Sequence, residues 1–205
     1  MHKGKLIVFE GNEGSGKSMI AKMCHKWLQE IRHDCILTSA PGGTAVGQKM
    51  RDILLSQNKL TFEAETLLFA SDLAQLTQEV IKPALEAGIT VLCDRYFYST
   101  LAYQSCGRGL SFEDVLSIVK FATNNIQPDL TIWLDVDPEI GLARKDPNDI
   151  NRFEQESLDF HKNVRKGYYQ TEAYPEVVRI ETSDPIDKVF AKAQAHLRSL
   201  LLSHY

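Results

Sequence analysis

Short apolar runs recur along the chain, separated by longer stretches in which apolar positions fall three and four residues apart. This alternation is the signature of repeated β-α units around a parallel sheet. Five runs read as strands: Lys5–Glu10, Cys35–Ser39, Ile89–Asp94, Leu130–Val136 and Val177–Glu181. Most are apolar on both faces, which places them centrally with helices on either side. The expected architecture is α/β, a three-layer doubly wound fold on a five-stranded parallel sheet.

The helices between the strands are marked by their ends. A helix is expected from about Lys17 to Glu30, and Asp137-Pro138 and Asp184-Pro185 each set a capping carboxylate before a proline at the first helical position. The last helix carries Ile186, Val189, Phe190, Ala193, Leu197, Leu200 and Leu201, a stripe that should pack on the sheet as core. Phe153, Phe160, Val164 and Tyr168 line one face of a further helix, expected from about Asn151 to Thr171. Before it, the polar stretch from Lys145 to Asn151 interrupts two helical patterns and reads as an exposed loop, a candidate lid near 145–151.

Composition narrows the function classes. At 205 residues the chain fits a single domain, 1–205, with no internal repeat. A formal charge of −4 leaves no global positive field to hold nucleic acid, so none is expected as a partner. The apolar runs are far shorter than the roughly 18–20 residues of a membrane span, and the first residues show no secretory h-region. Cys24, Cys35, Cys93 and Cys106 include no C-x-x-C pair, which fits a reducing cytoplasm, with each cysteine a small buried hydrophobe. None of the six His falls in a catalytic spacing, and His161 reads as a solvated helical residue.

Gly11-Asn12-Glu13-Gly14-Ser15-Gly16-Lys17-Ser18 carries the strongest chemical signal: it fits G-x-x-x-x-G-K-[ST] at every defined position, between a strand and a helix. In such a P-loop the glycines let successive backbone N–H groups turn inward onto phosphate oxygens, reinforced by the positive end of the helix dipole. Lys17 then reaches the β- and γ-phosphates of ATP, and the Ser18 hydroxyl is placed for Mg²⁺.

A P-loop does not name the acceptor. The strand ending at Asp94 delivers Asp94-Arg95 to the carboxyl edge of the sheet beside the P-loop, where ligands bind in such folds. Asp94 suits Mg²⁺ or its waters. Arg95 offers a planar fork for a second phosphate, which a nucleotide acceptor needs and hydrolytic water does not.

Together with Phe9-Glu10-Gly11, Pro41-Gly42-Gly43-Thr44, Met50-Arg51-Asp52-Ile53-Leu54-Leu55, Leu67-Leu68-Phe69-Ala70, Val80-Ile81-Lys82-Pro83-Ala84-Leu85, Asp94-Arg95-Tyr96, Ala102-Tyr103-Gln104, Pro128-Asp129-Leu130 and Glu154-Gln155-Glu156-Ser157-Leu158-Asp159-Phe160, the P-loop forms an ordered set. The set spans nearly the whole chain and resembles the bacterial thymidylate kinases. The resemblance implies transfer of the γ-phosphoryl of ATP to dTMP with Mg²⁺, in a homodimer. It sets Glu13 against the 3′-hydroxyl of dTMP, Phe69 under the thymine ring, Thr100 and Gln104 at the base edge, Tyr103 near the sugar, and Arg95 and Arg51 on the dTMP phosphate. Arg144 is its candidate for the ATP side, and Arg144 or Arg152 for catalysis from the lid.

The chain departs from the family in three places. It has Ser39-Ala40 where the family has Arg-Glu before the Pro-Gly-Gly-Thr, Leu73 where the family has an Arg shortly after the stacking Phe, and a short lid that is poor in Arg. Two alternatives to the dTMP reading stand beside it: a kinase of a related nucleoside monophosphate or of a nucleoside, and a nucleotide-binding regulator without turnover.

Overall fold

A computed structural model describes residues 4–57, 59–145 and 151–202. Residues 146–150, most of the expected lid, lie outside it. The strands β1 (Leu6–Glu10), β2 (Cys35–Ser39), β3 (Thr90–Asp94), β4 (Leu130–Asp135) and β5 (Val177–Glu181) form one parallel sheet in the order β2-β3-β1-β4-β5. This is the five-stranded α/β architecture the sequence predicts. The three central strands are almost wholly buried, whereas β2 and β5, at the edges, are mainly half-buried because only one neighbour and part of each helical layer cover them.

Strand alternation divides the core in two. Leu6 and Val8 of β1 face one layer, built from α3 (Phe62–Leu76), a π-helical stretch at Thr77–Ile81, α4 (Lys82–Glu86), α5 (Phe97–Thr100) and α6 (Phe112–Ala122). Ile7 and Phe9 face the other layer, where α1 (Lys17–Glu30) and α9 (Ile186–Leu202) pack side by side. A third, smaller cluster joins Trp133 of β4 to Tyr103, Phe153, Phe160, Val164 and Tyr168. It ties α8 (Leu158–Thr171) to a second π-helical stretch, Leu101–Gly107. The remaining helices, α2 (Ala45–Leu55) and α7 (Pro138–Ala143), border the carboxyl edge of the sheet.

Several expectations need correction. The helix expected from Asn151 begins at Leu158, because the Asn151 carboxamide accepts from Phe153 N–H (2.9 Å) and the Ser157 hydroxyl accepts from Phe160 N–H (3.2 Å). These local bonds offer the backbone a turn and then a cap in place of continuous helix. His161 is not solvated: it is 1% exposed, its ring edge-on to that of Phe160. Burial pushes its pKa down, against the pull of Glu13, Glu156 and Glu154. Ile186 is exposed although the stripe behind it, Val189, Ala193 and Leu197, is buried. Cys24 and Cys93 are buried, but Cys35 and Cys106 are only half-buried. The Asp137 carboxylate caps α7 by accepting from Glu139 N–H (3.0 Å), as the Asp-Pro pair predicts, while that of Asp184 pairs with Lys192 instead.

Candidate active site

The turn after β1 is where backbone freedom matters most. Gly14 sits at φ 68°, and a Cβ there would lie 1.9 Å from the carbonyl oxygen of Gly141 in α7. A Cβ on Gly141 would in turn lie 2.2 Å from Glu13 O. The P-loop and α7 are thus in backbone contact. Gly16, at φ 83°, opens α1 with no side-chain cap, leaving the first N–H groups of that helix for an anion. Asn12 fixes the loop from behind, its amide donating to Val136 O (3.2 Å), and the Ser15 hydroxyl is buried within the turn.

In front of the loop lies a cleft of about 200 Å³ lined by Glu13, Lys17, Ser18, Asp94 and Arg95 on the P-loop side. Phe69, Leu73, Thr100, Tyr103 and Gln104 line the far side, with Arg51 and Pro41 on a third. Every acceptor-side residue read from the sequence therefore faces one cavity. Arg144 and Arg152 do not line it. Arg144 donates to Gly14 O (3.1 Å) and Thr182 O (3.0 Å), on the outer flank of the P-loop. Arg152 donates to Leu54 O and pairs with Glu65 (2.7 Å). Among the described residues of the expected lid, Lys145 enters the cleft, with Nζ 2.5 Å from Glu154 and 4.0 Å from Glu13.

Arg95 is the hub of the floor. Its backbone adopts φ 70°, a left-handed conformation that a non-glycine residue holds only when its surroundings enforce it. Nη2 donates to Glu13 (2.9 Å) and the Tyr103 hydroxyl (3.1 Å), and Nη1 to Ser99 (2.9 Å) and the Tyr168 hydroxyl (3.1 Å). Burial alone would raise the Glu13 pKa, but Lys17, Arg95, Tyr103 and Lys145 overcome it and hold the carboxyl at about 2. Lys17 itself is pushed down by burial and by the Arg95 charge, against Glu13 and Asp94. One wall thus carries three cations, Lys17, Arg95 and Lys145, beside the carboxylates of Glu13 and Asp94, with the cationic side chains available to phosphate.

Sequence reasoning did not single out the residues behind that wall. Glu10, the polar end of an otherwise apolar strand, accepts from Tyr96 N–H (2.9 Å), Ser99 N–H (3.1 Å), the Ser99 hydroxyl and the Tyr168 hydroxyl (3.1 Å). It thereby fixes the turn that carries Arg95. Asp72, 1% exposed, accepts from Gly42 N–H (2.9 Å) and anchors the Pro41-Gly42-Gly43-Thr44 turn ahead of Arg51, whose guanidinium donates to Pro41 O (3.0 Å). The detectable signal was a charged residue at an inward-facing position of a strand or helix.

Asp72 makes a pH prediction. Burial lifts its carboxyl from 3.8 to about 6, although the Gly42 N–H and Arg51 oppose the rise. The folded state binds this proton more tightly than the unfolded chain. Its contribution to stability is therefore fully present below pH 4 and is lost as pH rises through about 6. Asp72→Asn, which keeps the acceptor for Gly42, should flatten this part of the stability–pH profile and raise stability at pH 8 by on the order of 1–3 kcal/mol. Urea unfolding of both proteins from pH 4 to 8 checks this, and parallel profiles would contradict it.

Ser18 and Asp94 test the fit of a divalent cation. The Ser18 side chain is exposed to the cleft at the start of α1, and Asp94 faces it from the end of β3 with Oδ1 buried and unpartnered. Among the described residues no cluster of three or more His, Cys, Asp or Glu side chains could hold a metal ion. Two oxygen donors and an open side suit Mg²⁺, which takes most of its ligands from phosphates and water.

Comparison with known proteins bears on what this arrangement is. The sequence model of the family described as Thymidylate kinase matches residues 9–193, from the end of β1 into α9. The chain belongs to the thymidylate kinase family. A thymidylate kinase of Clostridium novyi (strain NT) is 40% identical over 205 aligned residues, covering 97% of this chain and 100% of its own. That of Nostoc punctiforme (strain ATCC 29133 / PCC 73102) is 41% identical over 208, covering 96% and 99%. One from Synechococcus sp. (strain JA-3-3Ab) is 42% identical over 199, covering 96% and 97%. The family match takes in the P-loop, α3 and the turn carrying Arg95, so the whole cleft lies inside it.

Proposed function

We propose that this member of the thymidylate kinase family transfers the γ-phosphoryl of ATP to dTMP, giving ADP and dTDP. The observation that carries the proposal is the one cleft that P-loop Lys17 and Arg95 line together with the aromatic side chains of Phe69 and Tyr103. Donor phosphates lie along the backbone of residues 11–18, with Lys17 on the transferring group. On the acceptor side Arg95 and Arg51 hold the dTMP phosphate, Glu13 takes the 3′-hydroxyl, Tyr103 packs beside the sugar, and Phe69 stacks on the ring. Thr100 and Gln104 read the base edge. A phosphate acceptor is already an anion at neutral pH, so the protein needs no general base: positioning and charge neutralisation carry the reaction. Mg²⁺ accompanying ATP would be held by Ser18 and Asp94, and when bound it offsets negative charge between the phosphates.

Arg144, joining the P-loop carbonyl to the turn after β5, marks the donor flank, and Lys145 is the lid cation nearest the transfer path. The site also supports dTMP over the regulator alternative, since a protein that only binds ATP has no use for a second buried guanidinium. A homodimer is part of the proposal: α3 and α6 share an apolar groove beside Phe121, which is 89% exposed, and Leu67. No helix among the described residues is long and apolar enough to cross a membrane, and a cytoplasmic place fits the free thiols.

The test is a coupled assay of ADP release with a panel of nucleoside monophosphates and nucleosides. dTMP should be the preferred acceptor, with dUMP next, because one methyl in an apolar pocket is worth only about 1–3 kcal/mol. Equal use of purine and pyrimidine monophosphates would overturn the thymidylate reading. Turnover of nucleosides but not monophosphates would move the acceptor phosphate site away from Arg95 and Arg51.

A further inference from the structure

Behind the base pocket stands a carboxylate with no place in the scheme above. Glu65 of α3 has a side chain 1% exposed and does not line the cleft. Its two oxygens take four donors. Oε1 accepts from Gln104 Nε2 (2.9 Å) and Arg108 Nε (3.0 Å). Oε2 accepts from Arg108 Nη2 (3.2 Å) and faces Arg152 Nη1 (2.7 Å). Arg108 is held from its other side by Glu156 (2.5 Å) and packs its guanidinium over the Phe160 ring (4.6 Å). The arrangement is a buried ion network with Gln104 attached at its cleft end.

A side-chain amide can sit either way round, and its neighbours decide which. Beside an ion-paired carboxylate, which accepts and does not donate, Gln104 has one choice: nitrogen toward Glu65. That nitrogen carries a second hydrogen, so what remains for the cleft is one N–H and the carbonyl Oε1, in fixed order. We infer that Glu65 is the positioning residue that sets this order, and through it the preference for a base with a ring N–H next to a carbonyl over one with a ring nitrogen next to an amino group. The first pattern is that of thymine and uracil at N3 and O4; the second is that of cytosine. To serve cytosine the amide would have to turn over, setting Oε1 against the Glu65 carboxylate with no proton between them. This inference rests on the reading of Gln104 as a base contact.

The selectivity would be enforced by repulsion at the back of the pocket as well as by attraction at its face. That matters here because the wall beside Phe69 is apolar: Leu73 and Ala40 line the cleft and offer no hydrogen bond of their own to the base. None of Phe69, Leu73, Thr100 and Tyr103, which share the far side of the cleft with Gln104, carries a charge, so the discrimination falls on the neutral amide of Gln104, 1% exposed.

Steady-state kinetics with dTMP and dCMP on the full chain test the inference. Glu65→Gln keeps the shape but can face Gln104 with either an oxygen or a nitrogen, so both orientations become available. The ratio of kcat/KM for dTMP over dCMP should fall by about tenfold or more, a change that general loosening of the fold does not predict. A folded Glu65→Gln protein whose ratio stays within about twofold of the parent overturns the role of Glu65. Gln104→Ala separates the two readings: if it leaves dTMP kinetics unchanged, Gln104 is not a base contact at all. Should Glu65→Gln not fold, the side-chain amide of Gln104 in the unmutated protein decides. Without ligand, one of its two protons should be shifted downfield and protected from exchange, and dTMP should move the other. An amide pair that is averaged and unprotected overturns the inference.

Discussion

Lys17→Met is expected to lower turnover by about 10²-fold or more while the melting temperature stays nearly that of the parent. The two halves of this expectation have separate causes. The ammonium lies in a cleft among Glu13, Asp94, Arg95 and Lys145, and burial already disfavours its charge. Removing it therefore relieves a desolvated cation, and Glu13 keeps its partner in Arg95 at 2.9 Å. What is lost is the positive charge on the transferring phosphoryl group, which counts most in the transition state. Turnover and thermal unfolding measured on the same preparation check both halves. A variant with more than about a tenth of the parental rate removes Lys17 from that role.

Arg95→Ala should fail in the opposite manner, losing stability and acceptor binding together. Its guanidinium supplies hydrogen bonds to Glu13, Tyr103, Ser99 and Tyr168, and its charge stays in place despite burial because Tyr103, Tyr168, Glu13 and Glu10 surround it. Without it two carboxylates, Glu10 and Glu13, are left with no guanidinium between them. Breaking a buried pair of this kind costs about 3–5 kcal/mol. Urea unfolding should show that loss, and the KM for dTMP should rise steeply while the KM for ATP changes little. Arg95→Lys should restore part of the stability but little of the affinity, since a point charge cannot reproduce the fork. Parental stability in Arg95→Ala would mean that the cluster is held from elsewhere.

The sheet was readable in the sequence because its strands are apolar runs bounded by sharp turn and cap chemistry. All five start and end within one residue of their expected limits, and β2 and β5 match at both ends. The start of α8 was not readable from periodicity, since Phe153 and Phe160 are both buried and keep helical spacing although a turn separates them. There the side-chain bonds of Asn151 and Ser157 override the pattern. His161 was missed because helical spacing reports one buried face, and α8 is covered on two. At the site, the side chains proposed to meet a ligand were legible by motif, whereas Glu10, Glu65 and Asp72 hold other groups of the protein in place and leave no motif. The lid arginines show the converse limit: charge and position made Arg152 a candidate, but an acidic partner across the fold, Glu65, claims its guanidinium.

Glu13 sits within the P-loop, yet its carboxylate is bonded across the cleft to Arg95 and to the Tyr103 hydroxyl at 2.9 Å each, on the side proposed for the acceptor. The two halves of the cleft are consequently not interchangeable parts. An acceptor pocket transplanted from another kinase as α3 together with the segment from Arg95 to Gln104 would arrive without the carboxylate that Arg95 and Tyr103 bond unless position 13 came with it. Conversely, a P-loop exchanged to alter the donor would change the acceptor it serves. Under the proposed function, a change at residue 13 or 95 strands the other's charge, so the pair is the first place to look when redesigning either substrate.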